Sequence, residues 1–152
     1  IKILRLYSAT IDLDLKDLPG IDGLEELEIR NAKKVNIIVS TTNNWPQAQF
    51  SSNLTKFVYK NNKLNSLNQM IKVLNQLKNL KYLTLSQNLL TNIDDLKMLI
   101  ESHNLIELNL ERNSIQKLIR FRLYSSLKLL NLNSNQINKI EDGQFQDLIN
   151  LE

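Results

Sequence analysis

The sequence predicts an α/β solenoid: a curved array of short repeats with a parallel sheet on its concave side and mixed helices and loops on its convex side. The main observation is a recurring string with leucines at its first, fourth and sixth positions, asparagine at the ninth and an apolar residue at the eleventh. Successive copies begin at Leu80, Leu105 and Leu127. Between copies, as in segment 68–77, apolar residues stand three and four apart, which favours helices. With 42% apolar residues in 152, the chain can also bury a substantial core.

The copies divide the chain into about six repeats. Marked by the first apolar residue of each string, they begin at Ile1, Leu24, Leu54, Leu80, Leu105 and Leu127, and Leu151 opens a seventh. Only the 30-residue step from Leu24 to Leu54 exceeds the usual period of about 20 to 29 residues, so we expect an insertion in the second repeat. Residues 1–152 are therefore predicted to be one array, and a piece of a longer one.

The asparagine of each string is expected to turn inward and to satisfy backbone groups of adjacent turns. Four repeats have it, at Asn62, Asn88, Asn113 and Asn135, whereas the first two repeats have Ala9 and Ala32 in its place. Alanine offers no hydrogen bond. We therefore expect the ladder of asparagines to be incomplete at the start of the array.

The string L-x-x-L-x-L-x-x-N-x-L is identified as the motif of leucine-rich repeat proteins. The last copy, with Ile140, Gly143, Phe145 and Leu148 after its strand, resembles the typical repeat of about 24 residues in Toll-type receptor ectodomains and secreted immune proteins. That resemblance implies an extracellular or cell-surface module that binds a protein ligand or co-receptor and that could form a dimer. It also implies cysteine-rich caps and a signal peptide in the full-length protein.

An intracellular alternative stays open. The short fifth copy resembles intracellular repeat proteins, and the helical segments of the third and fourth copies resemble the longer intracellular types. This resemblance implies a cytoplasmic scaffold or regulatory subunit with cysteine-free helical caps.

The remaining segments are predicted from local signals. Segment 33–39 is rich in β-branched residues and favours a strand, followed by a loop with Trp45. Trp45 is interpreted either as an exposed anchor for a partner or, preferably, as a cover for the weak second repeat. Helices are predicted at 68–77 and from Ile93 to Ile100, the latter capped by Asn92 or Thr91. One residue of each return segment should stack into an apolar spine: Leu18, Ala48, Leu74, Leu99, Phe121 and Phe145.

Charge does not indicate a nucleic-acid or membrane partner. The net charge of +3 comes from 19 basic and 16 acidic residues spread along the chain, without a run of like charges. No apolar run approaches the roughly 18 residues of a membrane span. We therefore predict no nucleic-acid binding and no membrane insertion by this segment.

The predicted binding surface is the concave side of the sheet. Because side chains alternate along a strand, the third, fifth, seventh and eighth positions of each string should face solvent. Tyrosine and arginine are frequent interface anchors, and mixed charge suits a folded protein. The competing interpretation is that such positions are polar merely for solubility. The candidate ligand-binding residues are Tyr7, Glu28, Arg30, Lys60, Tyr82, Glu107, Glu111 and Arg112.

Catalysis, cofactors and metals are not predicted. The chain has no cysteine, and its single histidine, His103, has no partners for a catalytic triad or a metal site. Asp12, Asp14 and Asp17 lack the glycine and terminal glutamate of a calcium loop. Asn53-Leu54-Thr55 is an N-glycosylation sequon, which would be used only if the protein is exported.

Overall fold

The computed structural model describes residues 2–8, 10–14, 23–32, 34–38, 53–75, 77–99 and 104–152. Six strands form one parallel sheet in the order β1-β3-β5-β6-β7-β8, so each repeat contributes its strand beside the preceding one. These strands are β1 Ile3–Tyr7, β3 Glu26–Arg30, β5 Lys56–Lys60, β6 Tyr82–Thr84, β7 Glu107–Asn109 and β8 Leu129–Asn131.

Equivalent positions of the repeats lie side by side across this sheet. Leu83 of β6 is in register with Leu108 of β7, and Leu108 is in register with Leu130 of β8. The leucines at the first, fourth and sixth positions of the fourth and fifth strings are almost completely buried, as Leu105, Leu108 and Leu110 show, whereas Leu130 and Leu132 of the sixth string are partly buried. Burial of one such side chain contributes about 1.5–3 kcal/mol, and stacking of the turns is what removes these residues from water. The parallel solenoid predicted from the spacing is therefore present.

A second, two-stranded parallel sheet stacks the first two turns. It pairs β2 Thr10–Asp14 with β4 Lys34–Ile38, with Ile11 in register with Val35. The strand predicted at 33–39 is confirmed by β4, whereas β2 was not predicted. Ile11 is buried and Val35 packs against the same core, so this sheet extends the apolar interior of the first turns.

The return segments contain less helix than the sequence predicts. The helix of the third repeat is present as α1, Asn68–Leu74, but the fourth repeat forms a 3-10 helix, Asp94–Met98. The buried residues Ile93, Leu96 and Leu99 are spaced by three, and three residues per turn is the period of a 3-10 helix. In the described residues of the fifth and sixth repeats, the return path consists of turns.

The predicted apolar spine is present where the structure describes it. Leu74, Leu99 and Phe121 are buried, and Phe145 packs partly buried against the core. The Phe121 and Phe145 rings stack with centroids 6.1 Å apart. Leu18, Ala48, the Trp45 loop and His103 lie outside the described residues.

The asparagine ladder forms as predicted. The Asn113 side chain accepts a hydrogen bond from Leu90 N at 3.1 Å and donates to Leu85 O at 3.0 Å and Leu110 O at 2.9 Å. Asn62, Asn88 and Asn135 make equivalent bonds between their own turn and the preceding one. The ladder ends at the second repeat, where Asn62 Oδ1 accepts from Ala32 N at 2.9 Å.

Each turn leaves its strand through a residue in left-handed backbone conformation. The eighth position of every string has a φ between 51° and 56°. These residues are Ser8, Asn31, Asn61, Gln87, Arg112 and Ser134.

Candidate functional site

One side of the six-stranded sheet carries the candidate binding residues, and we call this side the sheet surface. It is made by the third, fifth and seventh positions of each string, which correspond to the predicted concave side. At a strand spacing of about 4.8 Å, it extends about 24 Å from β1 to β8. Because the strands are in register, these positions form continuous rows across the array.

Glu28 differs from the prediction, since it was expected to face solvent and is only 3% exposed. Its Oε2 accepts hydrogen bonds from Tyr7 Oη at 2.8 Å and from Arg5 Nε at 2.9 Å. Its Oε1 forms an ion pair with Arg30. The carboxylate is thus enclosed by side chains of its own strand and of the neighbouring strand, which is why strand alternation did not predict its burial.

Within this cluster, the pKa values of Glu28 and Tyr7 are both shifted. Burial by itself raises the pKa of Glu28, but the hydrogen bonds from Tyr7, Arg30 and Arg5 and the charge of Arg30 outweigh it, so the pKa is lowered. The hydrogen bond to Glu28 is also the main reason why the pKa of Tyr7 is raised. Glu28 therefore remains a carboxylate that holds Arg5, Tyr7 and Arg30 in place on the surface.

A depression of about 480 Å³ lies across β5, β6 and β7. Its lining residues are Arg30, Lys56, Val58, Lys60, Tyr82, Thr84, Ser86, Glu107, Asn109 and Glu111. Basic residues stand on the β3 and β5 side, acidic residues stand on the β7 side, and β6 between them contributes uncharged side chains. The depression is therefore electrostatically polar from one side to the other.

Most charges of the depression are exposed enough to meet a partner. Lys56 forms an ion pair with Glu26 at 3.1 Å and Glu111 forms one with Arg112 at 3.4 Å, and such surface pairs contribute only about 0–1 kcal/mol. Among the described residues, neither Lys60 nor Glu107 has an ion-pair partner, and Tyr82 between the two strands is 39% exposed.

The structure brings most of the predicted residues to one surface. Lys60, Tyr82, Glu107 and Glu111 line the depression together with Arg30, and Tyr7, which is 48% exposed, stands beyond Arg30 near the β1 edge. Arg112 lies next to Glu111 in the left-handed turn. Whether these residues contact a ligand remains a prediction.

The sequence-based selection missed Lys56, although it occupies the same row as Tyr82 and Glu107. The signal that could have found it is the register itself, which pairs Lys56 with Tyr82 and Tyr82 with Glu107. The prediction of solvent-facing side chains was wrong for Val58 and Ser86, which are buried in the floor of the depression.

The described residues do not assemble a metal site and hold no membrane-spanning helix. Within these ranges, no group of three or more potential metal-ligating side chains is assembled. The side chains of Asp12 and Asp14, and all of Asp17, lie outside the described part. No helix of the described part is long and apolar enough to span a bilayer.

Asn53, the acceptor of the glycosylation sequon, is exposed in the turn that precedes β5. Thr55 of the sequon donates a hydrogen bond from Oγ1 to Glu25 O at 3.3 Å. The site is accessible on the folded surface, and its use remains a prediction.

Comparison with known proteins shows the fold alone. No protein-family model matches the sequence, and no curated protein matches it either. Among solved structures, the chain is similar to an internalin (inlF) from Listeria monocytogenes str. 4b F2365, with a TM-score of 0.50 and 19% sequence identity. The match covers 90% of this chain and 48% of the internalin chain, so the present sequence corresponds to about half of that structure. Together with the parallel solenoid, this likeness supports a leucine-rich repeat fold.

Proposed function

We propose that the chain is a non-catalytic recognition module that binds a folded protein ligand or co-receptor through the sheet surface. The observation that carries this proposal is the in-register sheet, which aligns tyrosines, basic residues and acidic residues of successive turns into one surface. A repeat array of this kind offers an extended face for a macromolecule, with a shallow depression at its centre.

The chemistry of the sheet surface favours a protein over a polyanion. A nucleic acid would be held by basic residues along the whole face, whereas Glu107 and Glu111 occupy one side of the depression. Tyr82 and Arg112 offer the aromatic and guanidinium groups that are enriched at protein interfaces.

The use of the polar side chains also supports the proposed role as a binding module. The Tyr7 hydroxyl is hydrogen-bonded to Glu28 and its pKa is raised, which makes it a poor nucleophile or base. Glu28 is engaged by Tyr7, Arg5 and Arg30 and keeps a low pKa, so it is also unsuited to proton transfer at neutral pH. These groups organise a surface instead of activating a substrate.

We further propose that the module belongs to the extracellular, Toll-like or secreted innate-immune kind of leucine-rich repeat protein. The stacked rings of Phe121 and Phe145 support this assignment, because a phenylalanine in the return path is part of the resemblance to the typical repeat. The alternative, a cytoplasmic scaffold or regulatory subunit, is favoured by α1, since helical return segments resemble the intracellular types.

The compartment is tested by mass measurement of the protein from its native source. If it is exported, the peptide that contains Asn53 should carry a glycan-sized mass increment that peptide N-glycosidase removes. An unmodified Asn53 peptide, in a sample whose other sequons are fully occupied, would favour the cytoplasmic alternative.

The binding surface is tested by substitution of exposed residues on opposite sides of the solenoid. Lys60→Ala combined with Tyr82→Ala should abolish retention of the native partner by the immobilised protein. Lys72→Ala on α1, an exposed lysine away from the sheet, is the matched control and should retain it. Equal retention by both variants, with unchanged melting temperatures, would move the binding site off the sheet surface.

A further inference from the structure

We infer that the partner presents a bipolar helical segment to the depression, with an acidic side chain over β5 and a basic side chain over β7. This inference rests on the proposed function and adds the chemistry of the partner to it. It follows from the order of charges across three neighbouring strands and from the distance between them.

One row of side chains is in register across three neighbouring strands. Lys56 of β5 is in register with Tyr82 of β6, and Tyr82 is in register with Glu107 of β7. Across β5, β6 and β7 the row therefore reads cation, exposed aromatic ring, anion, and on β3 it continues with Glu26, which pairs with Lys56 at 3.1 Å. A second row reads in the same direction, with Lys60 next to Ser86, which follows β6, and Glu111 beyond it: Asn61 N donates to Ser86 O at 3.2 Å and Gln87 N donates to Glu111 O at 2.8 Å.

A partner has to span the distance between the two charged ends of a row. Two strand spacings place the positive and negative ends of each row about 10 Å apart. Seven residues of an α-helix rise about 10.5 Å and return to the same face, so acidic and basic residues seven apart can meet both ends. In an extended chain, residues three apart span a similar distance but point to opposite faces. A helix that crosses the strands therefore fits better than an added strand.

The middle of the first row is an aromatic side chain. Tyr82 stands between the two charges and is 39% exposed, with its ring available to an apolar side chain. On the partner helix, the position three or four residues after the acidic residue faces this ring. The segment should thus read acidic, apolar and basic at positions i, i+3 or i+4, and i+7, in either chain direction.

The test is selection of binders from a library of a fixed helical scaffold whose outer helix has randomised surface positions. Clones enriched on the wild-type chain should contain oppositely charged residues seven apart with an apolar residue between them. Enriched clones without this spacing of opposite charges, or no enrichment at all, would overturn the inference.

Charge reversal then locates the two ends. Glu107→Lys should lower the affinity for an enriched clone about tenfold, and replacing the clone's basic residue with Glu should restore binding. Lys56→Glu should likewise weaken binding, and replacing the clone's acidic residue with Lys should restore it. Because Glu26 lies beside Lys56, Lys56→Gln is a second variant that removes the positive charge without placing two carboxylates side by side. Lys72→Glu on α1 is the control and should leave affinity unchanged. Failure of both complementary changes to rescue binding would overturn the inference.

The Tyr82→Ala variant separates the two proposals. If the clones lose affinity for Tyr82→Ala but bind the charge-reversed variants as tightly as the wild type, the clones bind the sheet surface and the bipolar inference is wrong. If clones bind all these variants equally, binding occurs elsewhere and the proposed function fails together with the inference.

Discussion

The first two turns and the last three solve the same problem of buried polar groups in different ways. In the later turns, Asn88, Asn113 and Asn135 satisfy backbone groups from inside the solenoid. In the first turns, alanine stands at this position, and stacking is supported by the additional β2–β4 sheet and by the cluster around Glu28 on the sheet surface. The difference shows that a solenoid can join its turns through interior amides or through surface ion pairs and a second backbone ladder.

This comparison predicts that the later turns depend most on their asparagines. Asn113→Ala should lower the free energy of unfolding by about 1–3 kcal/mol, because several buried backbone groups lose their partner. Chemical denaturation measures this loss. Asn138→Ala, at an exposed asparagine without a side-chain bond among the described residues, is the matched control and should change stability by less than about 0.5 kcal/mol. If Asn113→Ala leaves the free energy of unfolding unchanged, the ladder does not stabilise these turns.

The first turns should instead depend on Glu28 and on pH. Glu28→Gln should cost about 1–2 kcal/mol at pH 7, because Arg5 and Arg30 lose a buried carboxylate but are themselves partly solvated. The pKa of Glu28 is lowered in the fold, so its stabilising effect is complete above the unfolded value near 4.5 and is lost as the pH falls through the folded pKa.

The check is denaturation of both proteins over a pH series. The difference between wild type and Glu28→Gln should be constant near neutral pH and shrink below about pH 4.5. A difference that grows in acid would contradict the assigned direction of the pKa shift.

Of these substitutions, Tyr7→Phe is expected to change the free energy of unfolding least. Loss of its hydrogen bond should move the pKa of Glu28 upward, because that bond is the largest of the contributions that lower it. Carbon-detected NMR titration of the Glu28 carboxyl measures the shift directly. Tyr82→Phe removes a hydroxyl from the same surface without touching Glu28 and should leave this titration unchanged.

Sequence reasoning succeeded where the repeat spacing determines the structure. Leu83, Leu108 and Leu130 align because an equal period places equivalent residues on neighbouring turns. The Phe121–Phe145 stack follows from the same period in the return segments. The spacing also identified the face on which Lys60, Tyr82 and Glu107 stand, although it does not decide what they bind.

The predictions from the sequence were wrong where a structure depends on contacts between side chains or backbones of neighbouring turns. Burial of Glu28 depends on Arg5 and Tyr7 reaching across from β1, which alternation within a single strand does not encode. Strand β2 was missed, although its apolar and polar residues alternate as in a strand, because the repeat pattern assigns this short segment to the return path. The 3-10 helix was missed because a spacing of three was read as part of an α-helical pattern.

The left-handed residue at the eighth position of each string limits how the array can change its specificity. For most side chains this backbone conformation costs about 1–2 kcal/mol, and β-branched residues and proline fit it worst. Mutations in the rows at the third, fifth and seventh positions are free of this restriction. A lineage that adapts to a new target would therefore vary the exposed positions of those rows widely, while at Asn61, Gln87 and Arg112 it would exchange residues only within the small set that tolerates a positive φ.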